Sequence, residues 1–384
     1  MKAAVLGAGG TIGPAIARDL AGSDEVSELL LLDLDEQRAQ AIAAAIDSRK
    51  VRASGADAGD ATALGAAIAG CDVVVNSASY RLNLNVMQAC LDASSHYLDL
   101  GGMYWMTAEQ MRSFAPPDGE DRFAAAGLLA LLGIGSAPGK TNLMAVRAAR
   151  ELQREAGTPF ASRPGAAGID SLHVSAAGRD LGPPPGFSVP YALRTLVDEL
   201  TLPPVVIREG EAVEVEPLAP GGVVDFGDPI GEAETILTLH SEMRTFPSSF
   251  GCSDASFRLS LHPELLERLR GLAQASDAEL ERAAAEARPP SACTVSVHVV
   301  DAAGGGRNVR VRSVTRPLEG LGIGGGVVST AAPAAAVVRL IARDAIAARG
   351  VHPPERCIDP DELFVELELR GSAFEVQVTE EAPV

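Results

Sequence analysis

Two hydrophobic rhythms alternate over the first 110 residues. Short unbroken apolar runs ("KAAVLG", "ELLLLD", "DVVVNSA", "HYLDLG"), with "VRASGAD" between the second and third, are separated by stretches of helical spacing ("GPAIARDLAGS", "EQRAQAIAAAI", "ATALGAAIAG", "NVMQACLDAS"). Runs apolar on both faces predict strands buried between two helical layers, and their alternation with helices predicts a parallel βαβ array. A further helix in "EDRFAAAG", a strand in "LLALLGIG" and a long helix in "KTNLMAVRAARELQREAG" extend the series.

Near residue 156 the rhythm changes. A loop, "GTPFASRPGAAG", leads into period-two segments: "DSLHVSAAG", "PPVVIREGEAVEVEPL", "ASFRLSLH", "CTVSVHVVDA" and "RNVRVRSVTRP". That alternation predicts a mainly antiparallel sheet with one wet face. From about residue 327 helical spacing returns in "STAAPAAAVVRLIARDAIAARG". The expected fold is α/β: a Rossmann-type doubly wound parallel sheet over residues 1–150, with 327–384 packing back on it. Residues 151–326 are expected to form a second, α+β domain.

Composition narrows the partners. With 51 acidic against 32 basic side chains the net charge is −19, and aromatics make up only 4% of the chain. Such a chain repels phosphate backbones and lacks stacking platforms for bases, so nucleic acid is not an expected partner. The five cysteines stand in no CxxC or Cys/His spacing, which predicts neither a disulfide framework nor a metal site. No apolar stretch is expected to reach the length that spans a bilayer, so the expected location is the cytoplasm, without membrane contact.

The candidate chemistry begins at "GAGGTIG". Gly7, Gly9, Gly10 and Gly13, with Thr11 and Ile12 between them, stand where the first strand turns into the first helix. Glycine there permits a tight turn and close approach of backbone N–H groups to a pyrophosphate, to which the helix N-terminus adds its positive end. Asp33 closes the second strand and is placed for the hydroxyls of an adenosine ribose; no Arg or Lys stands at position 34 to receive a 2′-phosphate. This favours NAD, with NADP possible. The same acid also reads as a cap for the helix beginning near Glu36, a role that Asp35 would fill equally well. Asp57 and Ala58 after the third strand, Asn76, Ser77 and Ala78 after the fourth, and Gly101 after the fifth complete the candidate cofactor-binding residues.

Several stretches together, "DVVVNSASYRLNLNVMQACLDASSHYLDLGG", "LLGIGSAPGKTNLMAVRAA", "LHSEMRTFPSSF" and "AAPAAAVVRLIARDAIAARGVHPPE", resemble the saccharopine dehydrogenase-like oxidoreductases, most closely in pattern the L-lysine 6-dehydrogenases. The family's glycine turn maps to Gly7–Gly13, its acidic strand end to Asp33, its "HYxDL" strand to His96–Leu100 and its Pro-Gly turn to Pro138 and Gly139. Two features depart from the pattern: the extra residue in GxGGxxG, and the segment "SAAGRDLGPPPG", which bears on the substrate.

The resemblance implies a homodimer or higher homo-oligomer, an active site in an interdomain cleft, and NAD(P)-dependent oxidation of a C–N bond in a small amino acid or amine such as lysine or saccharopine. The reverse, NADPH-dependent condensation of an amino acid or polyamine with an aldehyde, is the alternative chemistry; a non-catalytic dinucleotide-binding protein is the alternative from another class. Oxidising an amine requires removal of a proton from nitrogen beside the cofactor. Asp99, Tyr80 and His240 are the candidate catalytic residues, and Arg244, Lys140 and Asn142 the candidate substrate ligands. Each has a plainer reading: Asp99 as the brace of a turn, His240 as a structural histidine beside Glu242, Lys140 as a solvated residue at a helix start. Trp105, the only tryptophan, reads as packing in the cleft wall rather than taking part in the chemistry.

Overall fold

A computed structural model of the chain describes residues 1–153, 168–182, 189, 193–272, 274–288 and 290–380. All but the last residue of the expected loop "GTPFASRPGAAG", and much of "LGPPPG", lie outside them. The chain starts with β1 (Lys2–Leu6), α1 (Gly13–Ala21), β2 (Glu28–Asp33), α2 (Glu36–Ile46), β3 (Val51–Gly55), α3 (Ala61–Ala67), β4 (Val73–Asn76), α4 (Asn83–Asp92) and β5 (His96–Asp99). It goes on through α5 (Met103–Phe114), α6 (Arg122–Ala125) and β6 (Leu129–Leu131). Then come α7 (Lys140–Gln153), β7 (Ser171–Asp180), α8 (Leu193–Thr201), β8 (Val205–Arg208), β9 (Glu211–Glu214), β10 (Pro220–Asp225), β11 (Glu232–Leu237), α9 (Glu242–Phe250) and β12 (Asp254–Ser260). The remainder is α10 (Pro263–Gly271), α11 (Asp277–Glu286), β13 (Thr294–Gly304), β14 (Arg307–Thr315), α12 (Gly325–Ala342), β15 (Gly350–His352), α13 (Pro360–Glu368) and β16 (Ser372–Glu380).

Two compact units emerge. Met1–Gly139 with Thr330–Asp359 forms the first, and Lys140–Ser329 with Pro360–Val384 the second. In the first unit seven strands pair in the order β15-β6-β5-β4-β1-β2-β3, every neighbour parallel. β1 buries Ala3, Ala4, Val5 and Leu6 in succession and β4 buries all of Val73–Asn76, the two-faced burial that the apolar runs predict. The strand order reverses between β1 and β4, so the carboxyl ends of these strands frame the crevice where open parallel sheets take ligands.

The second unit is a sheet of the order β10-β11-β12-β7-β13-β14-β16, with β8 pairing β12 and β9. All its pairs are antiparallel except β12 with β7. One face is a dry core of Val224, Phe226, Val295, Val297, Val299 and Val314. His298, Ser313 and Ala176 lie in register with one another, and the alternation of β13 puts His298 on the other face.

Three expectations change. α7 belongs to the second unit from its first residue, so the boundary falls at Gly139 rather than near 150. The C-terminal part divides: β15 extends the parallel sheet, whereas α13 and β16 join the second unit because β16 pairs with β14 over its whole length, Thr315↔Ser372 to Arg307↔Glu380. α12 is long and apolar enough, by length and composition alone, to cross a membrane; most of it is buried in the structure.

Candidate functional site

The glycine turn is built by steric demand. Gly7 has φ +75°, and a Cβ there would stand 2.8 Å from the Ala78 backbone nitrogen; a Cβ on Gly13 would meet the Gly7 carbonyl oxygen at 2.3 Å. α1 begins after Ile12, which offers no side-chain cap, and its first turn carries no acid. Its leading N–H groups and positive dipole end are thus left to something other than the helix's own side chains. Ser77 ties the neighbouring strand end to the turn by donating from Oγ to the Leu6 carbonyl at 2.7 Å.

Asp33 faces this turn. Its Oδ2 accepts from the Gly9 N–H at 2.8 Å and its Oδ1 from the Asp35 N–H at 3.0 Å. Asp35, not Asp33, caps α2, accepting from the Gln37 and Arg38 N–H groups. Asp57 makes an exposed turn of its own, accepting from the Gly59 N–H at 2.7 Å, beside buried Ala58. Thr11 is exposed and Ile12 buried; Gly10 donates its N–H to the Gly7 carbonyl.

Asp99 is corrected by its surroundings. Its Oδ1 accepts from the Gly101 and Gly133 N–H groups at 2.8 and 2.7 Å, and its Oδ2 from Tyr97 Oη at 2.8 Å, Gln110 Nε2 at 2.8 Å and Asn83 Nδ2 at 3.2 Å. Burial pushes its carboxyl above the usual range, although those donors pull the other way. Five donors exceed the lone-pair sites of one carboxylate, so Asp99 braces the ends of β5 and β6 rather than taking a substrate proton. Asn76 belongs to the same framework, donating to Asn83 Oδ1 at 2.9 Å and accepting from the Ala78 N–H. Tyr80 sits half-buried in a 3-10 turn after β4, with the Arg81 guanidinium 5.8 Å from its ring. Trp105 is 53% exposed and meets Tyr104 in a T-shaped contact, ring centroids 4.7 Å apart.

The second unit gathers a buried polar cluster. Lys140, at the start of α7, is wholly enclosed, donating to Thr315 Oγ1 at 3.1 Å and Ser329 Oγ at 2.7 Å. Without a carboxylate partner among the described residues, its amine is pulled by burial down to about 7. The solvated reading of Lys140 is therefore corrected. His240 is buried as well: its Nδ1 lies 3.3 Å from Glu242 Oε2, its Nε2 3.9 Å from Glu199 Oε1, and its ring stacks on Phe257 at 3.4 Å. Burial alone would lower its pKa, but the two carboxylates outweigh that and raise it. Thr141 fixes Glu242 by donating to Oε1 at 2.9 Å. His298 is held neutral by burial and by the nearness of Lys140 and His240, and its Nδ1 has no partner; the Oγ atoms of Ser241 and Ser313 and Oγ1 of Thr245 are likewise unpaired. Buried polar atoms left open in this way are places for water or a ligand. Asn142 is buried on α7, and Arg244 stands half-buried on α9, its guanidinium unpaired among the described residues.

The first unit has the form of a dinucleotide-binding domain. Residues 3–158 match the family described as the saccharopine dehydrogenase NADP binding domain. A curated relative, carboxyaminopropylagmatine dehydrogenase of Synechocystis, is 31% identical over 155 residues, which are 37% of this chain and 36% of that protein, so the match spans about a third of the relative's length. Two solved structures share the fold over nearly the whole chain. Saccharopine dehydrogenase (L-Glu forming) of Saccharomyces cerevisiae has TM-score 0.68 and 15% identity, covering 99% of this chain and 100% of that one. Homospermidine synthase of Legionella pneumophila, solved in complex with NAD, has TM-score 0.71 and 12% identity, covering 98% and 91%. The resemblance to saccharopine dehydrogenase-like proteins is thereby borne out, and the match of residues 3–158 to an NADP binding domain supports the expected NAD(P).

Proposed function

We propose that the chain is an NAD(P)-dependent oxidoreductase acting on a C–N bond of a small amine-bearing amino acid, lysine or a saccharopine-like compound, and that it works in the cytoplasm as a homo-oligomer. The observation that carries this reading is the glycine turn, with an uncapped helix start and Asp33 bound to Gly9, inside a segment matching a dinucleotide-binding family. The name of the Synechocystis relative, a dehydrogenase of a carboxylated aminopropyl compound, supports an amine that carries a carboxyl group.

Bound at the turn, the dinucleotide would supply the hydride acceptor. Gly7–Gly13 and the N-terminus of α1 would hold its pyrophosphate, and Asp33 its ribose. The chain's own task is the proton that leaves nitrogen as the carbon gives up hydride. Lys140, poised near neutrality, and His240, set between Glu242 and Glu199, are the groups suited to hold it, and Arg244 suits a substrate carboxylate.

The test is a panel of amino acids, N-substituted amino acids and polyamines assayed for NAD(P)H production, with amine-plus-aldehyde pairs assayed for its consumption. Turnover with a carboxyl-bearing amine is expected. His240→Asn is expected to lower it by a factor on the order of 10²–10⁴ with dinucleotide affinity unchanged. Consumption with the aldehyde pairs alone would establish the condensing reading. Silence in both panels while dinucleotide binds would leave a non-catalytic binding protein.

A further inference from the structure

The carboxyl end of β5, on the side where open parallel sheets take ligands, carries an aromatic corner that none of the proton-handling residues uses. β5 stops at Asp99, and α5 starts at Met103 after Gly102, which offers no side-chain cap. Met103 takes φ +53°, a left-handed conformation that costs an L residue free energy and persists where its surroundings impose it. At this bend the Met103 side chain is buried, while Tyr104 is half-buried and Trp105 exposed. The planes of the two rings stand 79° apart, so they form two walls of a corner rather than a flat stack. Among the described residues every other large exposed apolar side chain is aliphatic. A tryptophan so placed adds little to the core; what it offers is a π face.

Such a corner attracts cations, for which an indole face is the best of the aromatic partners. Tyr80, in the turn after β4 against which α5 packs, already has the Arg81 guanidinium near its ring, whereas among the described residues no Lys or Arg stands over Tyr104 or Trp105. Glu109 and Arg112, further along α5, pair with each other and leave the corner without a fixed charge of its own. An acceptor is open at the foot of the same turn: Gln110 Oε1 is buried without a partner, 2.6 Å from where a Cβ on Gly102 would stand. An ammonium has three donors and no acceptor, and a chain of net charge −19 draws such groups toward it.

We infer that Trp105 and Tyr104 hold the nitrogen of the substrate that does not react, as an ammonium or guanidinium cation, and so select amines that carry a second positive charge. The inference rests on the amine reading above and deepens it. The reacting nitrogen has to be neutral when its carbon gives up hydride, so the charge that the rings recognise belongs to the other nitrogen.

Trp105 is the only tryptophan, so the indole emission of the full chain reports this ring alone. Lysine and putrescine, titrated in the presence of oxidised dinucleotide, are expected to change that emission saturably; norleucine, which lacks the terminal nitrogen, is expected to leave it unchanged at the same concentrations. With whichever amine turns over in the panel above, Trp105→Leu is expected to raise KM roughly 3- to 30-fold while kcat stays within about twofold, the span of a cation–π contact that acts in binding. Trp105→Phe should restore part of the loss. Acetylating the non-reacting nitrogen of that amine should cost the wild type a similar factor and Trp105→Leu nothing further. An unchanged KM in Trp105→Leu, or an equal emission change with norleucine, overturns the proposal and leaves the dehydrogenase reading intact. Emission that moves with protein concentration and not with amines also overturns it, the ring then being covered by a second copy. Emission that answers lysine or putrescine while neither panel turns over keeps the cation corner and removes only the dehydrogenase reading. No response in emission or turnover overturns both.

Discussion

An amine enclosed with two hydroxyls and no carboxylate is held neutral by desolvation, and that costs stability wherever the unfolded chain would keep the proton. Lys140 is such a group, its folded value about 7 against an ordinary value near 10.4. Between about pH 7 and pH 10 the unfolded chain binds a proton here that the folded chain has released, so unfolding free energy should rise with pH across that window. Below it the full penalty, on the order of a few kcal/mol, is present. Lys140→Met is therefore expected to be more stable than wild type at pH 6 by an amount that shrinks by pH 9.5, measured by urea denaturation; an unchanged difference between the two pH values would falsify the assignment. Asp99→Asn should behave in the opposite sense. An amide cannot accept at both ends from Gly101, Gly133, Tyr97, Gln110 and Asn83, so a loss of about 2–4 kcal/mol is expected in the same experiment.

Among the elements, β1, the glycine turn and α1 form the unit whose geometry is least tolerant. Gly13→Ala would force a methyl group to within 2.3 Å of the Gly7 carbonyl oxygen, and it is expected to weaken NADH binding at least tenfold and to lower the thermal midpoint. Ala15→Ser on α1, which needs no such approach, is the control. The parallel half of the molecule is legible in the sequence because strands buried on both faces leave unbroken apolar runs, and Asp33 and the glycines take their places within that frame. The bracing role of Asp99 is not legible, because its donors come from Asn83, Gln110 and Gly133, residues with no local relation to "HYLDLG". The burial of Lys140 is hidden too, because "GKTN" at a helix start has no local feature that distinguishes an enclosed amine from a solvated one. "FEVQV" alternates as any half-buried strand does, and nothing in its period says that its partner is β14 rather than the parallel sheet.

At the scale of the whole molecule neither unit is a continuous piece of chain. The first needs Thr330–Asp359 and the second needs Pro360–Val384. A truncated chain ending at Gly139 lacks β15 and leaves β6 as an open edge. It is expected to aggregate or to unfold without a sharp transition by circular dichroism, and joining residues 330–359 to it through a flexible linker should restore cooperative melting. A sharp transition in the shorter chain would show that the parallel sheet closes without its last strand.

The return of β15 to β6 also sets a timetable during synthesis. About 220 residues separate the two strands, and at roughly 5–20 residues per second the ribosome needs on the order of 10–45 s to supply the second after the first. For that interval the nascent parallel sheet exposes the backbone groups along β6, while β14 waits about a quarter as long, roughly 3–11 s, for β16. The nascent first unit is thus expected to be the part most open to mispairing during synthesis, and the exposure should lengthen when translation through the intervening segment is slowed.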